Sequence, residues 1–257
     1  MKARIAGWIV ALLVFNAAAF LIMLQLPHLA GVAWALGMAA LVAWWHMRPQ
    51  GRMRLHALVR LRAPRAPAAW VVRATAFTLV ALTGVVGLIH RFGYDLDQED
   101  PAFWAEVNAY QATIPGAIAV MVLAAVVVPA LEELVFRGRV QHSLERRHGP
   151  GRAIVVTSLL FMLAHIGGPH WSVLLIPFGL GLATGAAVYL TQSIWPGILM
   201  HALWNGLTAF TAGGVTALDE SPAVLGVASI LLLVTGLLGW RTLVGDLAPL
   251  SRRAGPA

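Results

Sequence analysis

Eight apolar runs, at residues 5–26, 29–47, 70–89, 114–138, 153–166, 171–190, 194–210 and 223–243, constrain this chain more than any other feature. Most are close to 20 residues long. At 1.5 Å per residue that length crosses a hydrocarbon layer of about 30 Å. Backbone N–H and C=O groups find no water at that depth, so each run is expected to be a helix that satisfies its own hydrogen bonds. Composition agrees, with 59% hydrophobic and 11% charged residues, against about 25% charged in a soluble domain. The expected fold is all-α: a polytopic membrane helical bundle of about eight transmembrane helices, forming a single membrane domain over residues 1–257. The first run begins Met1-Lys2-Ala3-Arg4, like the charged start of a signal peptide. It continues to Leu26 without a small-residue cleavage site, so it is expected to be a retained span.

The connecting segments give the bundle a direction. Arg48, Arg52, Arg54, Arg60, Arg62 and Arg65 lie between the second and third runs with no acid among them. Arg139, Arg146, Arg147 and Arg152 surround the turn after the fourth, and Arg241, Arg252 and Arg253 follow the last. Asp95, Asp97, Glu99, Asp100 and Glu106, then Asp219 and Glu220, fall in the segments between. With eight spans, every basic cluster falls on one side and the acids on the other. The positive-inside rule then places both termini in the cytoplasm. Residues 53–61 can form an amphipathic helix on anionic headgroups. Nucleic acid is the poorer reading of these arginines, because neighbouring spans put them at a membrane surface. The chain has no cysteine, which excludes disulfides, thiolate metal sites and cysteine catalysis.

Polar residues inside the spans mark where chemistry can occur, since a charge at mid-membrane costs about 2.5–3.5 kcal/mol on insertion scales. Three groups stand out: Glu132-Glu133-x-x-x-Arg137, Phe161-x-x-x-His165 and His201-x-x-x-Asn205. Glu133 and Arg137 share a helical face and can pair. Glu132 lies about 100° around the helix with Phe136 four residues on, so its carboxylate is the one available for chemistry. A lone intramembrane histidine is more often a packing or hydrogen-bonding residue, and a lone asparagine more often joins helices. His28, His46, His56, His142, His148 and His170 belong to loops or interfaces, and His90 to a span end.

Four such groups on three apolar spans, Glu132, His165, His201 and Asn205, are expected to face inward together. A carboxylate and an imidazole can take a proton from water, and a second His with an Asn can stabilise an oxyanion. That set suits amide hydrolysis inside a membrane. Glu132, His165 and His201 would equally serve as one oxygen and two nitrogens around a divalent ion such as zinc. The residues leave both mechanisms open. His165 lies about thirteen residues from Arg152 whereas Glu132 lies about six from the end of its span, a depth mismatch of roughly 10 Å. It disappears if the fifth helix begins outside the bilayer, with the boundary near Thr157 and the site opening toward the cytoplasmic half.

The three motifs, in this order over residues 132–205, resemble the signature of the CAAX prenyl protease and bacteriocin-processing (CPBP, or Abi) family of intramembrane proteases. The resemblance implies the eight-span architecture and a hydrolase acting as an intramembrane endopeptidase. By it, Glu132 and His165 would activate water, and His201 and Asn205 would stabilise the oxyanion. Glu133 and Arg137 would hold the fourth helix, with Phe161 in a supporting place, and a metal-independent mechanism is preferred. Residues 1–110 would be scaffold, residues 114–210 would carry the motifs, and residues 223–243 would be the last span. The expected partners are the lipid bilayer and a membrane-embedded or lipid-anchored peptide substrate, in a bacterial cytoplasmic membrane. A proton-coupled transporter is the rival from another class, since buried Glu and His also form proton relays. It calls for helices broken in paired repeats, which the sequence does not display. A non-catalytic immunity protein is the third reading.

Overall fold

The computed structural model describes residues 60–92, 118, 121–166, 171–211 and 222–253. The described residues are helical, with short connections and no strand among them. Helix α1 is Ala68–Arg91. A continuous rod follows, made of a π segment Leu123–Val127, helix α2 Val128–Glu133, a second π segment Leu134–Gln141, and helix α3 His142–His148. After one residue, helix α4 runs Pro150–Leu163. A 3₁₀ turn Trp171–Leu174 leads into α5 Leu175–Thr191, then come α6 Trp195–Thr211 and α7 Pro222–Arg253.

Three helical stretches are long and apolar enough to cross a membrane: Ala68–Arg91, Trp171–Thr191 and Gly226–Asp246. The first two cover the spans expected at 70–89 and 171–190, and the third is shifted three residues from the span expected at 223–243. Helix α6 matches the run at 194–210. The spans expected at 5–26 and 29–47, and the acidic residues 95–106, lie outside the described residues.

Two boundaries differ from expectation. The fourth helix does not end at Gly138 but continues to His148, so Arg139, Arg146 and Arg147 are helical rather than part of a loop. The chain reverses at Gly149, whose φ of 78° lies in the left-handed region that glycine enters without Cβ strain. Helix α4 stops at Leu163, two residues short of His165, which sits in the turn beyond.

Helices α1 and α7 pack backbone to backbone. A Cβ on Gly84 would stand 2.6 Å from Leu233 N and Ser229 O, and one on Gly236 would stand 2.6 Å from Phe77 O. Lipid tails are as apolar as leucine, so close approach at small residues supplies much of the attraction between membrane helices. The same pair carries satisfied polar contacts. Trp70 donates from its indole to Leu243 O (3.1 Å), and Trp240 donates to Thr78 Oγ1 (2.9 Å). A second core gathers Val135, Phe136, Phe161, Leu180 and Trp204 around the polar motifs.

The arginine-bearing segment before α1 is a strap and not a helix over residues 60–66. Ile194 N donates to Arg60 O (3.0 Å), Arg65 N to Thr191 O (2.9 Å), and Ser193 Oγ to Arg62 O (2.6 Å). These bonds tie the strap to the turn between α5 and α6. Arg60 also forks onto both carboxylate oxygens of Glu145 on α3. The part of the expected amphipathic helix at 53–59 lies outside the described residues.

Candidate active site

The site is built on the rod that carries Glu132 and Glu133. Pro129 shapes that rod, because it has no N–H and its ring blocks a regular i→i−4 bond. Just upstream the helix widens into its first π segment, where Val128 N bonds to Leu123 O five residues back. The next carbonyl in that pattern, Ala124 O, would need the missing N–H of Pro129. Asn205 of α6 supplies the donor instead, from Nδ2 at 3.0 Å. The local break that proline makes is thereby repaired across the helix pair, as buried backbone requires.

Past the glutamates the second π segment keeps a polar stripe aligned. Glu133, Arg137, Gln141 and Glu145 recur every four residues, a spacing that would drift around a 3.6-residue turn. The wider turn of a π-helix holds them on one face. Glu133, Arg137 and Gln141 are wholly buried. Glu133 Oε1 pairs with Arg137 Nη1 at 3.1 Å, and Gln141 Nε2 donates to Glu145 Oε1 and to Gly185 O, both at 2.9 Å.

His201 brings the two carboxylates together. Its Nδ1 lies 3.1 Å from Glu133 Oε1 and its Nε2 lies 3.6 Å from Glu132 Oε2, with all three side chains buried. The four-residue spacing pairs Glu133 with Arg137 alone, but the structure gives the same oxygen a second contact, to His201. Gly197, one turn before His201, makes this approach possible, since a Cβ there would stand 2.9 Å from Glu133 Oε2.

Phe161 organises the rest. The Arg137 guanidinium carbon lies 4.4 Å from its ring centroid, a cation–π contact. The same ring meets Phe136, His165 and His201 edge-on, at centroid separations of 5.0, 4.7 and 5.5 Å. His165 Nδ1 donates to Phe161 O at 2.8 Å. A carbonyl only accepts, so the hydrogen is on Nδ1 and the Nε2 lone pair is available as an acceptor. His165 is exposed at the end of α4, unlike the buried His201. The longer rod removes the expected depth mismatch. Glu132 lies 17 residues before Gly149 and His165 lies 16 residues after it, so the two are about equally far along the chain from the turn.

The three donors that could hold a divalent ion are not arranged to ligate one. Among the described residues no group of three His, Cys, Asp or Glu side chains is arranged to ligate a metal, and Glu132, His165 and His201 are all described. The zinc alternative does not fit this arrangement. A groove of about 500 Å³ lies between α1, the start of the rod and α6, lined by Leu79, Met121, Ala125, Leu199 and Leu203 among others. None of the site residues lines it.

Beyond the polar stripe, His142 on α3 has its pKa lowered to about 4, first by burial and then by Arg60, Arg146, Arg139 and Arg62. It therefore stays neutral at physiological pH and can accept from Arg146 Nη1 at 3.1 Å through Nε2. Sequence reasoning passed over Gln141, Glu145 and Gly197. The first two were legible as the continuation of the four-residue spacing from Glu133. Gly197 carried no signal, because the contact that requires it comes from another helix.

Residues 114–207 match the family model described as "Type II CAAX prenyl endopeptidase Rce1-like". The match encloses all three motifs and agrees with the resemblance to the CPBP family that they carry. No curated protein and no solved structure matches the chain.

Proposed function

We propose that this membrane protein, whose residues 114–207 match the Rce1-like type II CAAX prenyl endopeptidases, is an intramembrane endopeptidase that hydrolyses a peptide bond with water activated by Glu132 and His165. The match supports a CAAX-protease-like endopeptidase in general. The observation that carries the finer reading is the buried cluster of Glu132, Glu133 and His201, two carboxylates converging on one imidazole inside an apolar core.

In this reading Glu132 takes a proton from a water molecule that His165 orients through its Nε2 lone pair. The water oxygen bonds to the carbonyl carbon. The developing oxyanion accepts from His201 and from the second hydrogen of Asn205 Nδ2, the first being engaged at Ala124 O. Collapse breaks the C–N bond, and the proton taken from water leaves on the amine. Glu133 and Arg137 hold the rod, and Phe161 keeps the two imidazoles at a fixed spacing. No step is routed through a metal, because the donors are not gathered for one.

The substrate class we infer is a membrane-embedded or lipid-anchored peptide cut near its C-terminus or its membrane segment. The bundle has eight spans with its arginine-bearing end in the cytoplasm, the membrane is a bacterial cytoplasmic one, and the site opens toward the cytoplasmic half. Nucleic acid is not a partner. Cleavage of a membrane-anchored reporter peptide by purified wild-type protein, compared with Glu132→Ala and His165→Ala, tests the enzyme. Equal activity in all three would remove the proposal.

A further inference from the structure

Glu133 contacts two partners through one oxygen, and only one of them, Arg137, belongs to its own helix. The other is His201 Nδ1, 3.1 Å away. A carboxylate ion-paired to a guanidinium accepts and does not donate, so the hydrogen of that bond comes from the imidazole. The neutral ring then carries its hydrogen on Nδ1 and a lone pair on Nε2. That lone pair faces Glu132 Oε2 at 3.6 Å, a few tenths of an ångström beyond hydrogen-bond range. A neutral His201 held this way cannot donate from Nε2 to an oxyanion. It gains that hydrogen only by accepting a proton first.

We propose that Glu133 is a positioning residue that holds His201 with Nδ1–H bonded and Nε2 turned to Glu132, so that His201 relays the proton Glu132 takes from water. The inference rests on the endopeptidase reading above. The balance is closed within the site. Water's oxygen bonds to the carbonyl carbon while its proton goes to Glu132, and that proton then passes from Glu132 Oε2 to His201 Nε2. The imidazolium formed has Nδ1–H on Glu133 and a new Nε2–H to donate to the oxyanion. When the C–N bond breaks, the Nε2 proton goes to the leaving nitrogen, yielding acid and amine with the ring neutral again. One imidazole thus serves in turn as proton acceptor and oxyanion donor, and a carboxylate behind it sets the order, the logic that orients the histidine of a catalytic triad.

The test uses the full chain in detergent micelles with ¹⁵N-labelled histidine, the His201 signals being assigned by their loss in His201→Gln. Wild type at pH 8 is expected to show a hydrogen-bearing Nδ1 and a bare Nε2. Glu133→Gln, which offers an amide able to accept or donate, is expected to show a mixture of the two tautomers. In the reporter-peptide assay the same variant is expected to lose about 10²–10⁴-fold in kcat with KM little changed, the range of a general acid–base contribution. A wild-type ring with its hydrogen on Nε2 overturns the proposal, and so does an unaltered tautomer in Glu133→Gln. If that variant does not fold, the wild-type tautomer alone decides. Should the wild type cleave no peptide, the enzyme reading fails, whereas the tautomer measurement still reports on Glu133.

Discussion

At the scale of single residues, the charges in this protein are held by contacts from other helices as well as by their own. Glu133 meets Arg137 along the rod and His201 across it, and Gly197 leaves the space for that meeting. Gly197→Ala is expected to press a methyl group onto Glu133 Oε2 and Val188. The overpacking cost is about 1–3 kcal/mol, read as a lower unfolding midpoint in detergent, with a loss of peptide cleavage. His142 gives a pH signature of its own. Its folded pKa, about 4, lies below the ordinary value of 6.5, so between these values the unfolded chain binds more protons than the folded one. Stability from this group is complete above about pH 6.5 and is lost as pH falls toward 4. A His142→Gln variant is expected to flatten thermal stability against pH across that window, and NMR of the wild type should show the ring neutral at pH 6.

At the scale of elements, the rod bearing the glutamates departs from α geometry twice, each time for a stated reason. Pro129 removes a donor, and Asn205 caps the carbonyl left over. Asn205→Ala is therefore expected to destabilise the pair of helices by about 1–2 kcal/mol, within the range for interhelical hydrogen bonds in membranes. Pro129→Ala in the same background is expected to recover part of that loss by restoring the backbone donor. Denaturant titration of the single and double variants measures the coupling. The contact of α1 with α7 is decided by small residues: Gly236→Val would drive a side chain into Phe77 O and Ala81 at 2.6 Å. That substitution is expected to cost at least 1–3 kcal/mol, whereas Gly245→Val, with nothing within 4 Å, is expected to be neutral.

At the scale of the whole molecule, the strap at residues 60–66, the α3–α4 hairpin and the α5–α6 turn meet at one end. Arg60 pairs with Glu145 there, and Arg65 bonds to the turn through its backbone. Arg62, Arg65 and Arg147 are exposed at that end, which in the orientation we propose from the positive-inside rule faces the cytoplasm. Because the chain has no cysteine, single-cysteine labelling can check this without background. Arg147→Cys is expected to react with an impermeant thiol reagent only in inside-out vesicles, and Phe92→Cys, at the opposite end of α1, only in intact cells. The same pattern at both positions would reject the orientation. Chelation is expected to leave peptide cleavage unchanged, since the donors are not gathered for a metal.

Helicity, the membrane setting and the three polar motifs are determined by sequence alone, because they depend on local quantities. Apolar run length sets whether a helix can cross, and four-residue spacing sets which side chains share a face. The pairing of Glu133 with Arg137 was legible for that reason, as was the inward placing of Glu132 and His201. What neighbouring helices do to one another was not legible. Only the tertiary structure widened the helix at Leu123–Val127, turned Asn205 onto Ala124 O, and set Glu133 against His201. Each of these is a contact between groups 68 or more residues apart or a backbone shift of one hydrogen-bond register. Neither leaves a trace in the periodicity of a single helix.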